Sequence, residues 1–73
     1  MTSFELNGEY IELYKLLKAL ALCGSGGEAK HAIDEGMVTV NNVVETRRRY
    51  KVRVGDRLLF GDEEIVVVAE EEQ

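Results

Sequence analysis

The sequence predicts an α+β fold, and three observations carry that prediction. From about Gly8 to Cys23 the apolar residues recur at helical spacing, and a second helix is announced by a capping signal at Ser25. After Gly36 the apolar period drops to two, as in strands with one buried face. The expected order is a short N-terminal strand, two helices and then a small antiparallel sheet. With 73 residues and 45% hydrophobic composition, residues 1–73 are expected to form one small domain, near the lower size limit for a self-sufficient core.

Taken in order, Thr2 to Leu6 alternates modestly and reads as a short strand, broken by Asn7-Gly8, with Asn7 placed to cap a helix. In the helix that follows, Glu12, Lys15 and Lys18 form a narrow polar stripe, while Ile11, Leu13, Leu16, Leu17 and Leu20 cover much of the remainder. A stripe that narrow requires packing on most sides, so this is the expected core helix. Gly24 is its expected stop, in a left-handed conformation. Ser25 with Glu28 makes a capping box for the second helix, whose apolar face is Ala29, Ala32 and Ile33 and whose end is Gly36. The loop Gly24-Ser25-Gly26-Gly27 lacks the spacing and the Gly-Lys-Ser/Thr end of a nucleotide-binding loop. Val38 and Val40 then share a strand face, Asn41-Asn42 tolerates the positive φ of a tight turn, and Tyr50, Val52 and Val54 share a face of the next strand. Arg57–Phe60 and the apolar run from Glu64 to Ala69 supply two last strands, and residues 69–73 read as an acidic, solvated tail.

The charge is segregated. The whole chain has net charge −5, yet Arg47 to Arg57 holds six basic residues and one acidic, a net +5. The other 62 residues carry three basic against thirteen acidic side chains, a net −10. A solvated edge strand guarded by Lys51 and Arg53 accounts for part of this segment. Three consecutive arginines before the strand point instead to an anion, because the guanidinium fork meets phosphate oxygens in pairs. The single cysteine, Cys23, ends an apolar run and is expected to be a small core residue in a reducing compartment. No apolar run approaches the length a bilayer needs, so a cytoplasmic protein with no membrane partner is expected.

The run from Ser25 to Asn42 resembles the RNA-binding domain first described in ribosomal protein S4, the αL motif. Its signature is matched by Ser25, Ala29, Ile33, Gly36, Val38, Val40 and Asn41. Leu13, Lys15, Leu16 and Leu17 resemble the family's first helix, and Val52 to Phe60 is similar to its closing Gly-Asp hairpin, so the likeness spans about Ile11 to Phe60. The resemblance implies that the second helix and the loop around the following turn form an RNA surface, as in the short stand-alone bacterial members. Five positions depart from the usual pattern: Gly26 stands where Arg is common, Glu12 where a basic residue is common, Asn42 where Gly is common, and Asp34-Glu35 follow Lys30 and His31. These departures remove positive charge from the helix side and move the burden to the arginine run.

The expected site is therefore Ser25, Lys30 and His31 on the helix side with Arg47, Arg48, Arg49, Lys51 and Arg53 on the other. Strand alternation forbids all three arginines from pointing one way unless the segment is a loop. His31 is alone, without metal-ligand spacing, and no nucleophile–His–acid set exists, so neither catalysis, metal nor cofactor is expected. The expected function is a non-catalytic, monomeric module that contacts the phosphate backbone of structured RNA of the ribosomal or transfer class, with ribosome-associated proteins as further partners. The alternative is a protein-interaction module whose basic patch docks on an acidic partner.

Overall fold

The computed structural model describes residues 1–70. It contains strands β1 (Thr2–Leu6) and β2 (Ile11–Glu12), helices α1 (Leu13–Ala19) and α2 (Gly26–Asp34), and strands β3 (Val38–Val40), β4 (Val43–Val44), β5 (Lys51–Val52), β6 (Arg57–Phe60) and β7 (Glu63–Ala69). Five strands make one sheet in the order β1-β7-β6-β3-β4, and β2 pairs with β5 in a separate ribbon.

All neighbours in the larger sheet are antiparallel except β1, which runs parallel to β7 with Thr2 opposite Ile65 and Leu6 opposite Ala69. The sheet is therefore mixed rather than wholly antiparallel. A parallel pair needs a long connection between its members, and everything from β2 to β6 lies between these two. The segment expected to become a tail at residue 69 begins later: Ala69 belongs to β7, and the Glu70 amide donates to the Leu6 carbonyl at 3.3 Å. The rest of that tail, residues 71–73, lies outside the described residues.

The first helix is shorter at both ends than its apolar pattern suggests. Ile11 and Glu12 are drawn out of it by pairing with Val52 and Lys51. At the other end Leu20 is the C-cap and Ala21 takes a left-handed φ of 58°. The Leu22 amide donates to the Leu17 carbonyl and the Ala21 amide to that of Lys18, both at 3.0 Å, which is the Schellman arrangement. Ala21, not Gly24, stops this helix. The second helix ends in the same motif at the expected residue: Gly36 has φ of 75°, with Met37 donating to Ala32 and Gly36 to Ile33. The turn between β3 and β4 is Asn41-Asn42, both at positive φ as a tight hairpin requires.

One core joins the layers. Leu13, Leu16 and Leu17 of α1 and Ala29 and Ile33 of α2 are fully buried against Val38, Val52, Leu58, Ile65 and Val67. Burial of Cys23 in the same cluster raises its thiol pKa and keeps it protonated. Val54, expected on the buried face with Val52, is 51% exposed. The Asp56 carboxylate accepts from the Arg53 amide at 2.9 Å and turns the chain out of the strand before Val54 can face inward. Among the described residues no helix is long and apolar enough to cross a membrane.

Candidate nucleic-acid interface

The arginine run is a turn held by helix α1. No side chain caps the start of α1; instead the Leu13 amide donates to the Tyr50 carbonyl at 3.0 Å and the Tyr14 amide to the Arg48 carbonyl at 3.1 Å. Backbone carbonyls of the turn thus satisfy amides that a helix start leaves without partners. The turn closes on itself through the Tyr50 amide to the Arg47 carbonyl at 3.1 Å, and β5 continues into its pairing with β2. A buried core helix therefore fixes the backbone from Arg48 to Val52, which leaves the side chains to be sorted by their partners.

The three arginines go three ways. Arg47 is held by Glu45, its Nε at 2.9 Å from Oε2 and its Nη2 at 3.0 Å from Oε1. Arg48 forms a two-pronged pair with Asp34 at the end of α2, with Nε 2.9 Å from Oδ1. Arg49 meets Glu12 across 3.5 Å. The Arg48 fork holds the Asp34 carboxyl below its ordinary pKa, and the Arg47 fork does the same for Glu45. Lys51 and Arg53 have no carboxylate at ion-pair distance among the described residues.

Arg47, Arg49, Tyr50, Lys51 and Arg53 line one open pocket of about 560 Å³. Four cations and one aromatic ring form its wall, and no carboxylate does. The Arg47 guanidinium lies 5.2 Å from the centre of the half-buried Tyr50 ring. Lys51 and Arg53 lie 5.1 and 5.8 Å from the Tyr10 ring, which is 43% exposed. Such placements are favourable for a cation over an aromatic face, and they orient otherwise mobile side chains.

The remaining expected residues sit on α2. Ser25 is its N-cap, accepting from the Glu28 amide at 3.2 Å, while the Glu28 carboxylate accepts from the Gly24 amide at 2.7 Å. His31 is exposed beside Glu35, 3.7 Å away. Lys30 lies over the Tyr14 ring at 4.8 Å, with Lys15 also over that ring at 5.9 Å. Lys15 in turn meets Glu12 at 3.2 Å, and Glu12 meets Arg49, so a continuous polar chain runs from α2 across α1 to the arginine turn. Lys30 reaches the pocket only through this chain, and Arg48 is turned away toward α2.

Reading the sequence alone missed Tyr10 and Tyr14, both counted simply as part of the first helix. Their spacing of four, with Lys15 adjacent, was the available signal. The carboxylates that hold the arginines were also missed, because each is defined by a contact between elements. Among the described residues no cluster of His, Cys, Asp and Glu is placed to hold a metal ion.

Comparison with known proteins places this geometry in context. The chain is 41% identical over 70 residues to YbcJ of Escherichia coli (strain K12), a match spanning 94% of this chain and the whole of that one. The same identity and coverage hold for the Shigella flexneri protein of that name, which is described as uncharacterized. The solution structure of E. coli YbcJ superposes with a TM-score of 0.73, covering 94% of this chain and 89% of that one, and is described as revealing an αL motif involved in RNA binding. The family model of the S4 domain matches residues 4–68. With nearly the whole chain matched and the two helices and mixed sheet superposing, this protein belongs to the S4 domain family.

Proposed function

We propose that this protein is a non-catalytic RNA-binding module that contacts the phosphate backbone of structured RNA, of the ribosomal or transfer class, through the cationic wall beside the arginine turn. The observation that carries the reading is the pocket itself: four cations line it without a carboxylate, in a chain whose net charge is −5. Support comes from YbcJ, whose αL motif is described as involved in RNA binding. Phosphate is the natural counterpart of such a wall, since each neutralised phosphate releases condensed counterions. Lys51 and Arg53 need break no internal ion pair to reach it, and Arg49 must leave only the 3.5 Å contact with Glu12. On the helix side, Ser25 serves the α2 cap, Lys30 extends the surface over the Tyr14 ring, and the exposed His31 adds a further contact on α2 beside Glu35.

The test is an NMR titration of labelled protein with a short RNA hairpin at low and at moderate salt. Shifts at Arg49 to Arg53, weakening steeply with salt, are the expected result. Absence of shifts at low salt overturns the RNA reading and directs the search to an acidic protein partner.

A further inference from the structure

We infer that the pocket beside the arginine turn is a seat for one unpaired nucleotide, with the base stacked on the Arg47–Tyr50 pair and its phosphate held by Arg49, Lys51 and Arg53. This inference rests on the RNA-binding reading and names the feature of the RNA that is recognised. It follows from how the structure divides labour among side chains that look alike in the sequence.

Arg47 is poorly suited to bind phosphate. Two hydrogen bonds from its guanidinium and one from its own amide, at 2.9 Å, go to the Glu45 carboxylate, whose side chain is only 13% exposed. Its charge is met and its plane is fixed. A fixed guanidinium plane against an aromatic ring is a surface on which a nucleobase stacks. Tyr50 is itself anchored: its carbonyl accepts from Leu13, its amide donates to Arg47, and its ring packs at the margin of the core. The platform therefore exists before any ligand arrives, which lowers the ordering cost of binding.

The other wall has the opposite character. Lys51 and Arg53 carry uncompensated charge, and the Tyr10 ring lies against both. A planar, partly apolar platform beside a set of free cations matches a nucleotide, which joins a flat base to an anionic phosphate. A pocket of about 560 Å³ falls in the range of small-molecule sites and is far larger than one phosphate group needs. Bases inside a duplex are stacked on each other and hide their faces, so only a loop, bulge or free end can supply the base.

The experiment measures fluorescence anisotropy of two labelled RNAs at low salt: a blunt duplex, and a hairpin with the same stem closed by unpaired nucleotides. The wild-type protein is expected to prefer the hairpin by about tenfold, the size of one stacked base. Arg47→Lys keeps the charge and removes the plane, and it is expected to abolish that preference. The Arg47 side chain is 73% exposed and a lysine can still meet the Glu45 carboxylate, so the variant is expected to fold, which circular dichroism checks. Tyr50→Phe retains the preference and Tyr50→Leu loses it. Equal wild-type affinity for both RNAs, or an unchanged hairpin-to-duplex ratio in Arg47→Lys, overturns the nucleotide seat while leaving RNA binding in place. Failure of the wild type to bind either RNA overturns both.

Discussion

Arg48 and Asp34 are joined by a two-pronged ion pair that ties the arginine turn to the last residue of helix α2. The Arg48 carbonyl at the same time receives the Tyr14 amide of α1, so one residue connects both helices to the turn. Its side chain faces α2 and takes no part in lining the pocket. Arg48, expected from the sequence to contact phosphate, is paired with Asp34 in the folded chain.

That pairing separates two variants that sequence alone would treat as equivalent. Arg48→Ala should lower the melting temperature, because it frees the Asp34 carboxylate and loosens the turn. Arg49→Ala should leave the melting temperature near the wild-type value and lower RNA affinity several-fold. Thermal melts followed by circular dichroism, with anisotropy on the same samples, give both readings. Equal effects of the two variants on RNA binding would contradict the assignment.

Acid should weaken the same contacts. The folded-state pKa values of Asp34 and Glu45 are depressed below their ordinary 3.8 and 4.5 by the Arg48 and Arg47 hydrogen bonds. A depressed carboxylate contributes stability that is fully present above its unfolded pKa and is lost as pH falls through the folded one. Stability should therefore hold from neutral pH down to about 4.5 and decline below it. Asp34→Asn should start from a lower stability and show a shallower acid decline in denaturant titrations over that range.

Helix α1 carries a correctable strain. Ala21 occupies the left-handed position of a Schellman motif at φ of 58° and is exposed. A Cβ in that conformation costs roughly 1 kcal/mol relative to glycine, part of which is offset by the greater freedom of glycine in the unfolded chain. Ala21→Gly is expected to stabilise the fold by about 0.5 kcal/mol, read as a higher urea midpoint with an unchanged slope.

The salt dependence of binding should count the cations that meet phosphate. If Arg49, Lys51 and Arg53 carry the phosphate contacts, a single-stranded RNA should show a slope of log K against log salt of about −2. A slope of about −3.5 would mean that Arg47 and Arg48 leave their carboxylates to join in, and would argue against their assigned positions.

Much of the architecture was legible because its causes are local. The Ser25–Glu28 box, the glycine stop at Gly36 and the Asn41-Asn42 turn each depend on residues within a few positions of one another. The ends of α1 were not legible. Ile11 and Glu12 have helical spacing, but Val52 and Lys51 offer them strand pairing from forty residues away in the chain, and the pairing prevails. The parallel β1–β7 edge escaped for the same reason, since its partners lie at opposite ends of the described chain.

By itself, the sequence determined that this chain makes two helices and a run of strands, and that its positive charge gathers between Arg47 and Arg57. Periodicity, capping residues and net charge are properties of neighbours along the chain, and they can be read without coordinates. Only the tertiary structure decided which partner each cation meets within the chain. Arg48 is committed to Asp34, Arg47 to Glu45, and Lys51 and Arg53 remain uncommitted beside Tyr10. A guanidinium takes its role from whichever carboxylate, ring or opening the fold brings within a few ångströms, and for Arg48 and Asp34 that distance is set by packing between elements.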